Sequence, residues 1–155
     1  MNILFLDIDG VLNSNEYLTE EYEKVNRRLT REEFFDPKCM RILKKIVTDY
    51  KLQIVITSSW KIFDFKTVID VFKNYELEVL DSTKNYGDKR GAEIREWLVN
   101  HDNISKFVII DDDFFPDYVG LEGNLVMTSF YKNRGLNESH IPLVADIILE
   151  DKLTL

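Results

Sequence analysis

Four short polar stretches hold the residues best suited to chemistry. Asp7-Ile8-Asp9-Gly10 places two carboxylates one residue apart, Thr57-Ser58-Ser59-Trp60 offers adjacent hydroxyls, Asp88-Lys89-Arg90-Gly91 adds cations, and Asp111-Asp112-Asp113 sets three carboxylates in a row. Grouped carboxylates repel, and two charges ~4 Å apart cost on the order of 4 kcal/mol at an effective dielectric of about 20. A cation among them removes that cost. The chain has only 2 histidines and 1 cysteine, too few and too scattered for zinc. A hard divalent cation with oxygen ligands fits better. Mg²⁺ fits best, because it takes one or two carboxylates together with substrate phosphate and water. The hydroxyls and the Lys-Arg pair would then hold phosphate oxygens. A carboxylate nucleophile, Mg²⁺, hydroxyls and a cation together make a phosphoryl-transfer site.

Such residues act together only if the fold brings them together. Five short apolar, β-branched runs read as strands: Ile3 to Leu6, Leu52 to Ile56, Leu77 to Leu80, Phe107 to Ile110 and Leu125 to Met127. The first, second and fourth are apolar throughout, the pattern of strands covered on both faces of a parallel sheet. Between them lie helical patterns. From Pro37, with Asp36 placed to cap, Met40, Ile42, Leu43, Ile46 and Val47 recur at spacings of three and four. Ala92 to Val99 presents Ile94, Trp97 and Leu98, and Glu138 to Leu149 presents Leu143, Val144, Ile147 and Ile148. Strands alternating with helices predict βαβ units and a three-layer α/β fold with a central parallel five-strand sheet. In such a sheet ligands bind beyond the carboxyl ends of the strands, where the strand order reverses. Each candidate stretch follows a strand or precedes a helix leading into one, so all four are expected at one crevice. The segment from Asn13 to Asp36 reads as a small, partly helical insertion on the sheet edge, within a single domain spanning 1–155.

Composition narrows the function classes. With 20 Lys plus Arg against 28 Asp plus Glu, the formal charge is −8, which disfavours stable, non-specific nucleic-acid binding but leaves room for a nucleic-acid end. A chain of this length buries roughly 70% of its unfolded surface, so neither staples nor metals are needed for a core. The lone cysteine, Cys39, cannot form an internal disulfide, which favours a reducing, cytoplasmic setting. Met1 to Asp7 reads as a buried strand and not as a secretory signal, and no run approaches the ~18 apolar residues of a membrane span.

The ordered motifs carry a resemblance. Asp7-Ile8-Asp9-Gly10-Val11, Ile56-Thr57-Ser58, a Lys or Arg before a helix, and Ile109-Ile110-Asp111-Asp112 resemble the four motifs of the haloacid dehalogenase-like (HAD) superfamily, over almost the whole chain. Leu12-Asn13, Ser58-Ser59-Trp60, Arg90-Gly91-Ala92-Glu93-Ile94, Trp97-Leu98 and Gly135-Leu136 further resemble a small, nearly capless subfamily that includes the HAD domain of Swiss-Army-knife RNA-repair proteins. The resemblance implies a Rossmann-like fold with a minimal cap and a Mg²⁺-dependent phosphatase. Asp7 would attack phosphorus to give an aspartyl-phosphate, and Asp9 would protonate the leaving oxygen and then activate water. Mg²⁺ would be held by the Asp7 carboxylate, the Asp9 backbone carbonyl and Asp112, supported by Asp111, while Thr57 and Ser58 would bind phosphoryl oxygens. Lys89 and Arg90 are both candidates for the phosphate-binding cation, since adjacent helical side chains point about 100° apart and only one can face inward. With three aspartates in a row, the metal ligand could also shift by one position.

Other features have plainer readings. Lys24, Arg27, Arg28 and Arg31 fall at helical spacing, and pairing with Glu20 and Glu23 explains most of that basic face. Trp60 and Trp97 read as core or site wall, Phe114-Phe115 as a wall or as packing under the loop, and His101 and His140 as surface or capping residues. The expected substrate is a phosphorylated small molecule or a nucleic-acid terminal phosphate, with no membrane partner. Two alternatives compete: a phosphorylated receiver, whose motif order differs, and a catalytically weak or inactive binding or regulatory module on the same fold.

Overall fold

A five-stranded, fully parallel sheet carries the molecule: β1 (Asn2–Leu6), β2 (Leu52–Ile56), β3 (Val79–Ser82), β4 (Lys106–Asp111) and β5 (Leu125–Met127), in the spatial order β3-β2-β1-β4-β5. The computed structural model describes residues 1–150, so residues 151–155 of the expected domain lie outside the described residues. Among the described residues six α-helices accompany the sheet: α1 (Asn15–Val25), α2 (Pro37–Tyr50), α3 (Trp60–Phe63), α4 (Phe65–Lys73), α5 (Arg90–Val99) and α6 (Ile141–Leu149).

The continuous apolar strands are sandwiched on both faces. Leu4 and Leu6 of β1 point into a cluster with Met40, Leu43 and Ile46 of α2, Val68 and Phe72 of α4, and Val144 and Ile148 of α6. Ile3 and Phe5 point the other way, toward Ile94 and Trp97 of α5 and Tyr118. This is the expected three-layer arrangement, and each buried Leu, Ile or Phe contributes about 1.5–3 kcal/mol. Pro37 opens α2, and the Asp36 carboxylate accepts from the Lys38 N–H at 2.9 Å, as the sequence predicts.

The topology fixes where a ligand can sit. After β1 the chain moves outward through β2 and β3, then returns to place β4 on the opposite side of β1. The switch point therefore lies between the carboxyl ends of β1 and β4. The receiver alternative fails here, because that fold has the order 2-1-3-4-5.

Several expectations need correction. β3 starts two residues later than predicted and includes Asp81 and Ser82; Leu77 instead closes the preceding turn, with its N–H bonded to the Phe72 carbonyl. Helices α3 and α4 were not anticipated; α4 is a short amphipathic helix that buries Val68, Val71 and Phe72. The insertion rises from β1, the central strand, and not from a sheet edge. Asn26, left-handed at φ 49°, ends α1, so the four basic residues from Lys24 to Arg31 share no helix face. Lys24 pairs with Glu21, Arg27 with Glu33 and Arg31 with Asp64, while Glu20 pairs with Arg134 of the β5–α6 loop. The insertion is further anchored by Tyr17, whose hydroxyl lies 3.0 and 3.1 Å from the Glu33 and Phe35 carbonyls.

One buried ion pair ties the β2–α3 loop to α5. The Lys61 ammonium meets the Glu93 carboxylate with side-chain exposures of 5% and 1%, and also donates to the Thr57 and Lys84 carbonyls and the Thr83 hydroxyl. Burial pulls the Lys61 pKa down against the opposing pull of Glu93. Removing one partner strands a buried charge, so Lys61→Ala is expected to cost about 3–5 kcal/mol in urea unfolding. The double variant Lys61→Met with Glu93→Leu should recover part of that loss; a Lys61→Ala cost below about 1 kcal/mol would contradict the assignment.

Candidate active site

Asp7 follows β1 directly, and its backbone N–H remains in the sheet pattern, donating to the Ile110 carbonyl of β4 at 3.1 Å. That register sets its side chain against those of Asp111 and Asp112 at the end of β4. One carboxylate oxygen from each of the three lies within 4.8 Å of the others. Gly10 makes the approach possible: at φ 80° it turns the loop, and a Cβ there would fall 2.0 Å from Asp112 Oδ2. Thr128, just past β5, donates its hydroxyl to the Gly10 carbonyl at 2.6 Å and holds the turn from the other side.

The crowded carboxylates are only partly compensated. Arg90, the first residue of α5, reaches Asp7 Oδ1 at 3.2 Å and Asp111 Oδ2 at 2.9 Å, and its guanidinium lies 4.5 Å from the Phe115 ring centroid. Burial alone would lower its pKa, but the Asp7 and Asp111 carboxylates outweigh this and push it up, so it stays charged. Lys89 is exposed, so among the two adjacent cations it is Arg90 that faces the carboxylates. Gly91 allows the fit, since a Cβ there would meet the Asp117 carbonyl at 2.2 Å. The Asp117 carboxylate caps α5 by accepting from the Gly91 and Ala92 N–H groups at 2.9 and 2.8 Å.

The three aspartates of the triplet differ in situation. Asp111 is fully buried, and its oxygens accept from Arg90, from the Tyr118 hydroxyl at 2.7 Å and from the Asp113 N–H at 3.0 Å. Asp112 is half-buried beside Asp7, and Asp113 is exposed outside the cluster. Burial, then the charge of Asp111, raises the Asp7 pKa well above the ordinary carboxylate value. Burial likewise pushes Asp112 up to about 6. The donor set is all oxygen, as a hard cation requires, and Asp7 and Asp112 are the members with least compensation from protein donors.

The remaining candidates surround this cluster. The Thr57 hydroxyl is buried with no hydrogen-bond partner among the described residues, an orphan group beside the carboxyl end of β2. Ser58 is buried, and its hydroxyl accepts from the Trp60 N–H at 3.2 Å. Asp9 is exposed, and its carboxylate stays out of the acidic cluster, accepting instead from Asn13 and Trp60. Phe115 packs against Arg90 and Tyr118, whereas Phe114 remains 45% exposed. His140 completes a capping box with Asn137, and His101 stacks on Trp97 at 3.8 Å. Sequence reasoning missed Tyr118, Thr128 and Lys61. Only the fold brings these three to the site. Trp60 had a signal, its place directly after the hydroxyl pair, but no pattern indicated that its indole would reach Asp9.

Comparison with known proteins agrees with this geometry. The family described as the HAD domain in Swiss Army Knife RNA repair proteins matches residues 3–141. The chain therefore belongs to that family, a HAD-superfamily domain with a hydrolase-like fold. Among solved structures, a haloacid dehalogenase-like family hydrolase from Streptococcus pneumoniae is similar at 14% identity and a TM-score of 0.48, over 93% of this chain and 90% of that one. No curated protein matches the chain.

A pH dependence follows from the raised carboxyls. Without a cation the raised pKa values of Asp7 and Asp112 mean that the folded chain holds protons there that the unfolded chain releases at lower pH. The contribution of Asp112 to stability therefore falls as pH rises from about 4 through about 6. A divalent cation needs the ionised forms, so Mg²⁺ or Mn²⁺ should raise Tm more at pH 7.5 than at pH 5 and should release protons on binding. An equal Tm gain at both pH values, or calorimetric binding without proton release, would contradict the assignment.

Proposed function

We propose that the protein is a Mg²⁺-dependent phosphomonoesterase acting through an aspartyl-phosphate on Asp7. The observation that carries this reading is the Asp7 carboxylate at the switch point, within 4.8 Å of Asp111 and Asp112 and faced by Arg90, with an unpartnered Thr57 hydroxyl alongside. Asp7 and Asp112, with the Asp9 backbone carbonyl, would hold Mg²⁺, and Asp111 would support them. When bound, the ion supplies charge neutralisation between the carboxylates and the phosphoryl oxygens.

In the first step an Asp7 oxygen attacks phosphorus and the bond to the leaving oxygen breaks. That oxygen keeps the electron pair and takes the proton carried by Asp9. In the second, the Asp9 carboxylate removes a proton from water, the water oxygen attacks phosphorus, and the bond to Asp7 breaks to release phosphate. Both residues return to their starting state. Thr57, Ser58 and Arg90 would hold the phosphoryl oxygens during both steps. Lys89, exposed at the same end of the sheet, would meet a substrate only from outside.

The substrate reading favours terminal phosphates of nucleic acids or nucleotides. Asp9 is exposed and the insertion after β1 is short, which suits a large substrate, and the family takes its description from RNA repair proteins. A net charge of −8 fits capture of an end and not of a long backbone. Among the described residues no helix is long and apolar enough to cross a membrane. Cys39 is buried and unpaired, with its thiol pushed up to about 12 by burial, and a reducing cytoplasm suits it.

The test is phosphate release from nucleotides, sugar phosphates and 3′- or 5′-phosphorylated oligonucleotides, with Mg²⁺, with chelator and with Asp7→Asn. Asp7→Asn should reduce turnover by at least about 10³-fold with its circular dichroism unchanged. Release that persists in Asp7→Asn would overturn the mechanism. An absence of release from every substrate while Mg²⁺ binds would move the chain to the inactive-module reading.

A further inference from the structure

We propose that Trp60 is a positioning residue for Asp9, holding its carboxyl group in the orientation that serves the leaving oxygen. This rests on the proton-carrying role given to Asp9 above. Asp9 is exposed, so unassisted it would sample several rotamers. Instead each oxygen has its own neutral donor. Trp60 Nε1 donates to Oδ2 at 3.1 Å, and Asn13 Nδ2 donates to Oδ1 at 3.0 Å. Asn13 is itself fixed, since its Oδ1 accepts from the Gly10 N–H at 2.9 Å.

Trp60 is held by packing on both sides. It is 3% exposed, with the rings of Phe35 and Phe34 at 5.2 and 5.9 Å and the Arg31 guanidinium 3.9 Å from its ring centroid. Arg31 is held in turn by Asp64 at 2.8 Å. A carboxylate offers about four lone-pair sites, so one donor per oxygen fixes its plane and leaves each oxygen free to exchange a proton. Indole and amide N–H groups do not give up their protons here, so only Asp9 carries one to the substrate. The insertion thus serves the chemistry without touching it: Arg31 and Phe34 brace the tryptophan that braces the acid.

Trp60→Phe keeps an aromatic ring in place and removes only the donor. Because kcat/KM covers the steps through formation of the aspartyl-phosphate, it reads proton delivery to the leaving group. For alkyl phosphates such as nucleoside monophosphates, whose leaving oxygen needs a proton, kcat/KM should fall about tenfold through kcat with KM little changed. For p-nitrophenyl phosphate, whose phenolate leaves without one, the change should stay under about twofold. Equal losses on both substrates, or none on either, would overturn the role while leaving the phosphatase reading intact if Asp7→Asn and Asp9→Asn remain inactive. Activity that survives in Asp9→Asn would overturn the role given to Asp9 and with it that of Trp60, while Asp7→Asn still decides the phosphatase reading. A readout without turnover covers a Trp60→Phe protein that does not fold. With the second indole assigned by Trp97→Phe, the Trp60 indole N–H resonance should move upfield and exchange faster in Asp9→Ala. An unmoved resonance would overturn the proposal.

Discussion

The carboxyl ends of two neighbouring strands force three aspartates together, and the surrounding structure answers that repulsion. β1 and β4 run side by side in parallel register, so Asp7 and the Asp111-Asp112 pair have nowhere else to go. Arg90 offsets part of the charge, Tyr118 and a backbone N–H occupy Asp111, and the remaining imbalance shows as raised carboxyl pKa values on Asp7 and Asp112. A group that holds an uncomfortable proton at the mouth of a parallel sheet is suited to exchanging it for a cation.

The loops are built to tolerate this crowding. Gly10 lacks the Cβ that would strike Asp112, and Gly91 lacks the one that would strike the Asp117 backbone. Lys61 and Glu93, buried behind the Thr57 loop, bind it to α5 and hence to the element that presents Arg90. The two sides of the crevice are therefore mechanically linked, with α5 supplying both the cation and its anchor.

The fold was largely legible because its strands are uniformly apolar and its polar residues cluster where strands end. Four of the five strands were bounded to within one residue at either end, and β3 was displaced by two because Asp81 and Ser82 look like turn formers yet pair with β2. The candidate site was legible as residue types in order. What could not be read was orientation: Lys89 and Arg90 are chemically interchangeable on paper, and only the direction of the first turn of α5 separates them. Long-range donors such as Tyr118 and Lys61 carry no spacing signal at all. The basic run from Lys24 to Arg31 misled because the pattern is helical while the backbone turns left-handed at Asn26.

The central claim is that Asp7 carries the phosphoryl group during turnover. Asp9→Asn protein, in which the second step is slowed, can be incubated with Mg²⁺ and a ³²P-labelled aryl phosphate whose leaving group needs no proton, acid-quenched, and reduced with borohydride, which converts an aspartyl-phosphate to homoserine. Peptide mass spectrometry then reads the modified position. Homoserine at position 7 is the expected result; turnover by the native protein with no label at Asp7, or with label on another residue, would contradict the account.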